Sequence, residues 1–498
     1  MQKLINQQQM RSADVFTIKN LDISSIELME TASMAFVNEF VQEITAVETP
    51  IHILCGKGNN GADGLAIARL LQDKGYRAVA VYLVDFSEKE TAEYQTNLNR
   101  LKDLWFPLTT VKTIADLKTL NDGVIIDAVL GSGLNKPLTG AYAELATFIN
   151  GLNYQVIAVD TPTGFPAEGA FAKTDIFIKA DLVICFQRPK INFFFPESAA
   201  ALNRFRVVSI GLDEGFIEKQ TSPYALLEQR DLKDLIQPRK SFTHKGTYGH
   251  ALLIAGQRET MGAAILAAKG CLYGGAGLTT LSIPESGLTA LNTALPEVMY
   301  LDRKELSGTA FAAEKFKIIA VGPGLGTDTT SADLLKNLLK LKVPMVIDAD
   351  ALHLLGNDES LRKQLTEGSI LTPHMKEFDH LFGTHESWWA RLQTAREKAV
   401  ELKCVIVLKN QYTFIIDQLG KVIINPTGNP AMGQGGMGDV LTGLIASFAA
   451  QGYQSVEAAY AACFVHGLSG DQLAVTRVSV KASAVAEHIP EVVKGLTI

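Results

Sequence analysis

A glycine-dense loop followed by an acid is the feature of this 498-residue chain with the clearest capacity for chemistry. The segment reads GNPAMGQGGMGDVLTG, and its acid is Asp439. Backbone N–H groups at the start of a helix lack intrahelical partners and can bind an anion. A carboxylate placed there can take a proton from a substrate hydroxyl. The pattern therefore predicts an anion hole beside a general base, with a capped helix on a flexible loop as the alternative.

Four more polar segments in the same half of the chain follow short apolar runs. They read GPGLGT from Gly322, DADAL from Asp348, TPHMKEF from Thr372 and KNQYT from Lys409. A lysine can contact a phosphate, whereas an isolated histidine such as His374 is more often a hydrogen-bonded structural residue. The combination of these segments favours a functional role for His374.

A second glycine-rich segment, GKGNNGADG over residues 56–64, lies in the first half of the chain and follows an apolar run. Glycines after a strand let the backbone approach a ligand, and a helix start can bind phosphate. The glycines at 56, 58 and 61 fit a GxGxxG spacing, but paired asparagines are unusual in a dinucleotide fingerprint. A tight turn that packs a helix on a strand is the alternative.

Two further apolar runs in this half end in acids. One continues as DAVLGSGLNKP from Asp127, and the other as DTPTG from Asp160. Ligands of parallel α/β sheets bind beyond the carboxyl ends of the strands, so we expect both segments to meet the glycine-rich segment in one crevice. Each acid alone could be a helix cap or a turn former. Two acids that face one glycine-rich loop favour a functional site.

The elements that position these segments are short apolar runs, which alternate with amphipathic stretches along the chain. This alternation predicts parallel α/β sheets. In the first half we expect helices at 22–44, 62–74 and 88–104 and strands at 51–55, 78–84, 124–129, 156–160, 182–186 and 206–210. In the second half we expect Gly/Ala-rich helices at 262–272, 439–450 and 456–473 and strands at 251–255, 278–283, 318–321, 344–348, 369–371, 405–409, 413–417 and 421–425. The irregular, charged segment between the two series predicts domains at 1–215 and 240–498, joined by a linker at 216–239.

The composition places the chain among globular proteins, since 47% of its residues are hydrophobic and 20% are charged. The net charge of −7 argues against a general nucleic-acid binder, which usually has a basic face. Five scattered cysteines without a CxxC pair predict buried thiols in a reducing compartment. No run approaches the ~18 apolar residues of a membrane span, and the first residues show no apolar signal core. We expect a cytoplasmic protein that binds neither nucleic acid nor membrane.

Residues 1–215 resemble the NAD(P)HX epimerase family, which acts on hydrated nicotinamide cofactors. The resemblance rests on ELMETA from Glu27, on GNNGADG, in which Ala62 stands where the family usually has glycine, and on the two acid-containing segments. It implies Asp160 as the acid–base residue. It implies a substrate site formed by Asn59, Asn60, Gly61, Ala62, Asp63, Gly131, Ser132, Gly133, Leu134, Asn135, Lys136, Pro137, Tyr142 and Asp160. It also implies a potassium ion, a hard cation suited to oxygen ligands, at Asn60, Asp127 and Thr163.

Residues from about 225 to 498 resemble the ADP-dependent NAD(P)HX dehydratase family, and the loop before Asp439 resembles that of the ribokinase-like superfamily. The resemblance rests on HKG, GPGLGT, DADAL, TPHMKEF and GGMGDVLTG. The pair Thr260–Met261 and the residue Met437 depart from the residues usual in the family. The resemblance implies contacts to the hydrated cofactor from Ala263, Gly324, His374 and Asp439. It implies contacts to ADP from Lys409, Asn410, Gln411, Tyr412, Thr413 and Gly438.

Together the two resemblances imply a bifunctional repair enzyme with an α/β fold. A Rossmann-like three-layer αβα domain would interconvert the R and S epimers of NADHX and NADPHX. A ribokinase-like αβα domain would dehydrate the S epimer with ADP, giving AMP and phosphate. Asp439 would deprotonate the hydrate's hydroxyl, and the phosphoryl group from ADP would turn it into a better leaving group. Mg²⁺ and main-chain amides would neutralise charge.

Two alternatives stay open at the level of sequence. The second half could be a vitamin or sugar kinase that leaves the phosphate on its product, although such a kinase has no need of the first half. The first half could be a binding module without catalysis, although it retains Asn60, Asp127 and Asp160. We also expect a homo-oligomer, of which a tetramer is one arrangement.

Overall fold

The computed structural model describes residues 1–117, 120, 122–133, 136–307 and 311–497, which form two compact units. The N-terminal unit comprises Lys3–Ser222 with Ser387–Trp389. The C-terminal unit comprises Met1–Gln2, Pro223–Glu386 and Ala390–Ile498. Within the described ranges, no helix is both long and apolar enough to cross a bilayer. All five cysteines are free and buried, as the sequence predicted.

The segment predicted as an irregular linker, residues 216–239, is instead largely regular structure. It contains most of the helix Glu214–Lys219, the strand Tyr224–Leu226 and the helix Gln229–Leu235. The strand pairs in parallel with Val422–Asn425, which satisfies its backbone N–H and C=O groups. Because this partner lies far along the chain, the local sequence gave no sign of the pairing.

A seven-stranded sheet forms the centre of the N-terminal unit, and its neighbouring strands all run parallel. With β1 (Gln2–Lys3) belonging to the other sheet, its strands are β2 (Ile51–Cys55), β3 (Val79–Val84), β4 (Leu108–Val111), β5 (Val124–Ala128), β6 (Gln155–Val159), β7 (Ala180–Phe186) and β8 (Leu202–Val208). Their order is β4-β3-β2-β5-β6-β7-β8. The chain reverses its direction of travel across the sheet between β2 and β5, which makes that point the expected ligand crevice.

Helices cover this sheet, and alternate residues of its strands enter two separate apolar clusters. Ile53 and Cys55 belong to one cluster, and Leu54 between them belongs to the other. The helices are α1 (Gln7–Leu21), α2 (Ser25–Glu43), α3 (Asn59–Asp73), α4 (Ala92–Asp103), α5 (Gly140–Asn150) and α6 (Glu214–Lys219), with 3₁₀ turns at Ile114–Leu117, Ile191–Phe194 and Pro196–Ala200.

Helix α1 and strand β4 were not predicted from the sequence. A signal for α1 was present, because Asn6 and Gln9 form a capping box at its start. The helix predicted at 22–44 begins after Ser24, which forms a capping box with Glu27. Asp22 instead ends α1 in a left-handed conformation with φ of 52°.

The C-terminal unit contains an 11-stranded mixed sheet in the order β1-β9-β18-β17-β16-β15-β14-β13-β10-β11-β12. Its further strands are β9 (Tyr224–Leu226), β10 (His250–Ile254), β11 (Leu278–Ile283), β12 (Met299–Asp302), β13 (Ile318–Val321), β14 (Met345–Ile347), β15 (Ile370–Leu371), β16 (Val405–Leu408), β17 (Thr413–Ile416) and β18 (Val422–Asn425). The pairs of β17 with β16 and β18 are antiparallel, whereas the run from β12 to β16 is parallel. The predicted α/β class with parallel sheets is confirmed. Strands β9 and β12 were not predicted.

Glycine lets two helices of this unit touch backbone to backbone. These helices are α8 (Met261–Tyr273) and α15 (Met437–Ala450). A β carbon on Gly443 of α15 would lie 1.8 Å from the carbonyl oxygen of Ala267 in α8, and a β carbon on Gly270 of α8 would lie 2.2 Å from the carbonyl oxygen of Val440 in α15. The helices are α7 (Gln229–Leu235), α8 (Met261–Tyr273), α9 (Leu288–Ala294), α10 (Thr329–Leu339), α11 (Ala349–Asn357), α12 (Glu359–Arg362), α13 (Met375–Phe382), α14 (Trp388–Glu401), α15 (Met437–Ala450), α16 (Ser455–Ala474) and α17 (Ala482–Leu496), with 3₁₀ turns at Lys245–Tyr248, Glu285–Gly287, Arg303–Ser307, Ala313–Lys315 and Pro430–Met432. The Gly/Ala-rich helices predicted to pack on a sheet thus also pack on one another.

Candidate active sites

The glycine-rich segment of the N-terminal unit turns tightly between β2 and α3. A β carbon on Gly56 would lie 2.0 Å from the carbonyl oxygen of Val129, and one on Gly61 would lie 1.6 Å from that of Gly56. These two glycines are therefore required by packing. Gly58 is different, because a β carbon there would meet nothing within 4 Å and no side chain caps the helix that follows. The first N–H groups of α3 are thus available to a ligand.

Residues predicted from two different loops meet at Asn60. A β carbon on Gly131 would lie 3.2 Å from the side-chain oxygen of Asn60. The side-chain nitrogen of Asn60 is buried and has no hydrogen-bond partner in the described part of the chain. Of the other predicted residues in the 131–137 loop, Lys136 is exposed, while Leu134 and Asn135 lie outside the described residues. Tyr142 packs edge-on against Phe86, with ring centroids 5.3 Å apart.

Asp127 and Thr163, which the sequence places at two strand ends, are in direct contact. The hydroxyl of Thr163 donates to Oδ1 of Asp127 at 2.6 Å, and the backbone N–H of Thr163 donates to Oδ2 at 2.7 Å. Asp127 is completely buried, and burial raises its pKa to about 6 against the effect of these hydrogen bonds. Its hydrogen-bond donors are the neutral groups of Val129 and Thr163, and no cation among the described residues pairs with it.

Asp160 is held in a strained backbone conformation beside a buried lysine. Its φ is +62°, which non-glycine residues rarely adopt. Its Oδ1 accepts hydrogen bonds from Nζ of Lys190 at 2.8 Å and from the N–H of Phe186 at 3.1 Å. Burial is the largest single effect on the pKa of Lys190 and lowers it, but Asp160 and Cys185 together outweigh burial, so the pKa is raised. Lys190 therefore remains charged and keeps a positive group at the predicted acid–base residue.

Lys190 and a polar face of α1 were not predicted from the sequence as parts of this site. Lys190 follows β7 just as Asp160 follows β6, so the strand-end argument applied to β7 would have found it. On α1, a side-chain nitrogen of Gln7 lies 3.2 Å, and one of Arg11 3.6 Å, from the position of a β carbon on Gly133. Asp14 lies one turn further along this face of the helix.

In the C-terminal unit, the start of α15 meets the ends of two strands. A β carbon on Gly438 would lie 3.4 Å from Nζ of Lys409 and 3.8 Å from Oδ2 of Asp348. Lys409 donates to Oδ1 of Asp348 at 2.7 Å. The N-cap residue of α15 is Gly436, with φ of 92° and no side-chain cap. Because no side chain caps α15, the first N–H groups of this helix can bind an anion, as predicted for this loop.

Asp439 lies in the first turn of α15 and is suited to proton transfer near neutral pH. Burial, with a further contribution from Asp348, raises its pKa to about 7, although Lys409 acts in the opposite direction. A carboxyl whose pKa lies near the working pH can act as a general base. Its neighbour Asp348 is 1% exposed and accepts hydrogen bonds from Thr372 at 2.7 Å and Thr442 at 2.8 Å.

The position of His374 is compatible with both a structural role and a functional role. It caps α13, since its Nδ1 accepts the N–H groups of Lys376 and Glu377 at 3.1 and 3.2 Å. Its side chain is nevertheless 52% exposed, which leaves Nε2 within reach of a ligand.

Gly324 and the first turn of α8 are joined at the same edge of the sheet. The hydroxyl of Thr260 donates to the carbonyl oxygen of Gly324 at 2.7 Å, and the N–H of Ala263 donates to Thr260 at 3.1 Å. Gly324 itself has φ of +59°. Thr260 thus links Gly324, through its hydroxyl, and Ala263, through its carbonyl oxygen, two residues that the resemblance assigns to the hydrated cofactor.

Most residues predicted to contact ADP line one cavity of about 420 Å³. Lys409, Asn410, Gln411, Thr413 and Gly438 are among its walls, whereas Tyr412 is not. The glycine-dense loop after β18, the start of α15 and helix α16 form the remaining walls, of which α16 was not predicted from the sequence as part of this site. Asp471 of α16 holds that loop by accepting the N–H of Gly428 at 3.0 Å and the side chain of Asn429 at 2.7 Å.

Comparisons with known proteins cover both units. A family model described as NAD(P)H-hydrate dehydratase matches residues 251–491, and one described as YjeF-related protein N-terminus matches residues 25–192. The chain is 32% identical to the bifunctional NAD(P)H-hydrate repair enzyme Nnr of Moorella thermoacetica, over 99% of this chain and 97% of that protein. It is 32% identical to the protein of the same name from Thermofilum pendens, over 94% and 93%. The crystal structure of a ribokinase-like superfamily protein from Enterococcus faecalis aligns with a TM-score of 0.51 and 30% identity, over 56% of this chain and 98% of that one.

Proposed function

The chain belongs to the family of bifunctional NAD(P)H-hydrate repair enzymes, and we propose on that premise that each unit carries one of two repair activities. The N-terminal unit epimerises R- and S-NAD(P)HX. The C-terminal unit dehydrates S-NAD(P)HX with ADP as co-substrate and releases AMP and phosphate. The observation that carries the proposal is the position of Asp439, in the first turn of α15 beside Lys409 and Asp348.

In the C-terminal unit, Asp439 removes the proton from the hydroxyl of the hydrated ring. The oxygen attacks the terminal phosphorus of ADP, and AMP leaves. The phosphate ester then loses phosphate, and the adjacent ring carbon gives up a proton to solvent as the double bond reforms. Phosphate leaves far more readily than hydroxide. The N–H groups at the start of α15 and the ammonium of Lys409 stabilise the charge that develops on the phosphoryl oxygens. His374, Gly324 and Ala263 bind the hydrated cofactor, and the 420 Å³ cavity holds ADP.

In the N-terminal unit, Asp160 acts on the hydrated carbon as acid and base. The ion pair with Lys190 holds its side chain in place. The substrate lies against α3 and the loop after β5, where the N–H groups of α3 can bind its phosphates.

Two ions complete the proposal. Potassium fits Asn60, Asp127 and Thr163, because these residues offer amide, carboxylate and hydroxyl oxygens and no described cation pairs with Asp127. For magnesium, the described ranges contain no group of three or more His, Cys, Asp or Glu side chains that could hold a metal ion. It would enter bound to the phosphate oxygens of ADP.

We further propose that the protein acts in the cytoplasm as a homo-oligomer. Five free, buried cysteines suit a reducing compartment, and the oligomeric state rests on the family resemblance.

The test is to supply the purified protein with mixed R and S hydrates of NADH, ADP and Mg²⁺, and to follow recovery of the NADH absorbance band. Complete recovery of both epimers, with one AMP and one phosphate for each NADH, is expected. Recovery that stops when the S epimer is consumed would remove the epimerase assignment. Accumulation of a stable phosphoester would instead identify the C-terminal unit as a kinase.

A further inference from the structure

The hydrate's chemistry requires two proton-transfer groups in the N-terminal site. Water adds to an enamine so that the hydroxyl stands on the carbon next to the ring nitrogen. Inversion can proceed when a base takes the hydroxyl proton and the carbon–nitrogen bond breaks. Its electron pair passes to the nitrogen, which takes a proton from an acid, and an aldehyde results. After rotation the steps reverse on the other face, so both groups return to their starting state.

We propose that Asp14 on α1 is the acid of this pair, with Asp160 as the base. This inference rests on the proposed epimerase function of the N-terminal unit. Asp14 shares a face of α1 with Gln7 and Arg11, which lie 3.2 and 3.6 Å from the position of a β carbon on Gly133. That face therefore forms a wall of the site beside the substrate loop. Asp14 is half-buried on this wall, where a bound ring could reach it.

The charges around the two carboxyls separate their roles. Asp160 is paired with the ammonium of Lys190, which lies 2.8 Å from its Oδ1. Asp14 has no hydrogen-bonded cation among the described residues. Burial and the nearby Asp160 raise its pKa to about 6, although Lys190 and Arg11 act in the opposite direction. Two carboxyls that differ in this way are suited to be base and acid in one reaction.

Asp63 of α3 also belongs to this group of acids. Burial, Asp160 and Asp14 raise the pKa of Asp63 well above its usual value. The groups that face Asp14 are thus Asp160, Lys190 and Asp63, together with Arg11 on its own helix. Asp63 is the competing candidate for the acid, because Asn60, one turn before it on α3, meets the same loop at Gly131.

The experiment measures epimerisation of purified R hydrate by Asp14→Asn, after subtraction of the spontaneous rate. We expect kcat to fall by ~10²-fold or more with KM within a few-fold of wild type, and Asp14→Glu to recover part of the loss. The wild-type rate should decline as the pH rises above about 6, because the acid loses its proton, and Asp14→Asn should lack this decline. The matched control is Asp22→Asn, an exposed carboxylate at the end of the same helix where asparagine tolerates the positive φ.

Dehydration of S hydrate by the same preparation shows that the C-terminal unit is intact, and a wild-type thermal unfolding curve shows that the N-terminal unit of each variant is folded. Wild-type kcat in Asp14→Asn, or an unchanged pH profile, would overturn the proposal. A loss confined to Asp63→Asn would overturn it in favour of Asp63. Failure of the wild-type protein to epimerise R hydrate would instead remove the proposed epimerase function itself.

Discussion

The ammonium group of Lys409 lies 2.7 Å from a carboxylate oxygen of Asp348, although the strands that precede them are separated in the sheet by β15. The other oxygen of Asp348 accepts the hydroxyl of Thr442 on α15 at 2.8 Å. One buried carboxylate therefore fixes both a lysine and a helix at the edge where a phosphate would bind. Lys409 is oriented before any ligand arrives, which lowers the cost of ordering it on binding.

The first prediction concerns this lysine. Lys409→Met should raise the KM for ADP by roughly tenfold or more, because a hydrogen bond to a charged group contributes ~1.5–3 kcal/mol. Epimerisation by the other unit should not change. The matched control is Lys421→Met, an exposed lysine at the start of β18 and outside the cavity. An unchanged KM for ADP would show that the lysine serves only to neutralise Asp348.

The second prediction concerns Asp439. Asp439→Asn keeps the shape but cannot accept a proton, so dehydratase turnover should fall by ~10²–10⁴-fold with ADP affinity little changed. A general base works when ionised, and Asp439 becomes protonated below its pKa of about 7. The wild-type rate should therefore fall as the pH is lowered through about 7, and the variant should lack that dependence. Turnover within a few-fold of wild type would contradict the mechanism.

The third prediction separates the two activities. Asp160→Asn should abolish enzymatic repair of the R hydrate and leave dehydration of the S hydrate nearly intact. Asparagine is the appropriate replacement because it tolerates the φ of +62° at this position. Initial rates with each purified epimer provide the measurement. Equal loss of both activities would argue against two separate sites.

The fourth prediction concerns the cation. Asp127→Ala should raise the KM for R hydrate in epimerisation and abolish its dependence on potassium concentration. Replacement of potassium by choline should have the same effect on the wild-type protein. Dehydration of purified S hydrate under matched conditions, with Asp439 unaltered, provides the control for salt effects. A wild-type epimerisation rate that does not depend on potassium concentration would exclude this cation site.

The fifth prediction concerns stability. Gly443→Ala should lower the free energy of unfolding of the C-terminal unit by about 1–3 kcal/mol or more, because its β carbon would lie 1.8 Å from a carbonyl oxygen of α8. Gly495→Ala on α17 is the control, since a β carbon there meets nothing within 4 Å. Alanine should stabilise that helix by roughly 0.5–1 kcal/mol relative to glycine. Urea denaturation of both variants tests the difference, and equal midpoints would contradict the close helix contact.

The positions of the two sites could be predicted because strand-end loops have a local signature. An apolar run followed by glycines and an acid marks the carboxyl end of a buried strand, and parallel sheets collect such ends at one edge. By this argument the loops that contain Asp127 and Thr163 were expected to meet, and these two residues are in contact. The proximity of Gly438 to Lys409 followed only from the family resemblance. The local signature could not anticipate that His374 uses Nδ1 to cap a helix while about half of its side chain stays exposed.

By itself, the sequence determined the α/β class, the chemistry-bearing loops and the membership of a repair-enzyme family, because each is encoded in local pattern and residue type. Only the tertiary structure decided which charged groups meet across the sheet. The pair of Asp160 with Lys190 depends on β6 and β7 being neighbours, and the position of Asp14 depends on α1 packing beside the loop at Gly133. The pairing of β9 with β18 likewise joins distant parts of the chain. Such contacts follow from strand order and helix packing, which depend on the free energy of the whole fold rather than on any short segment.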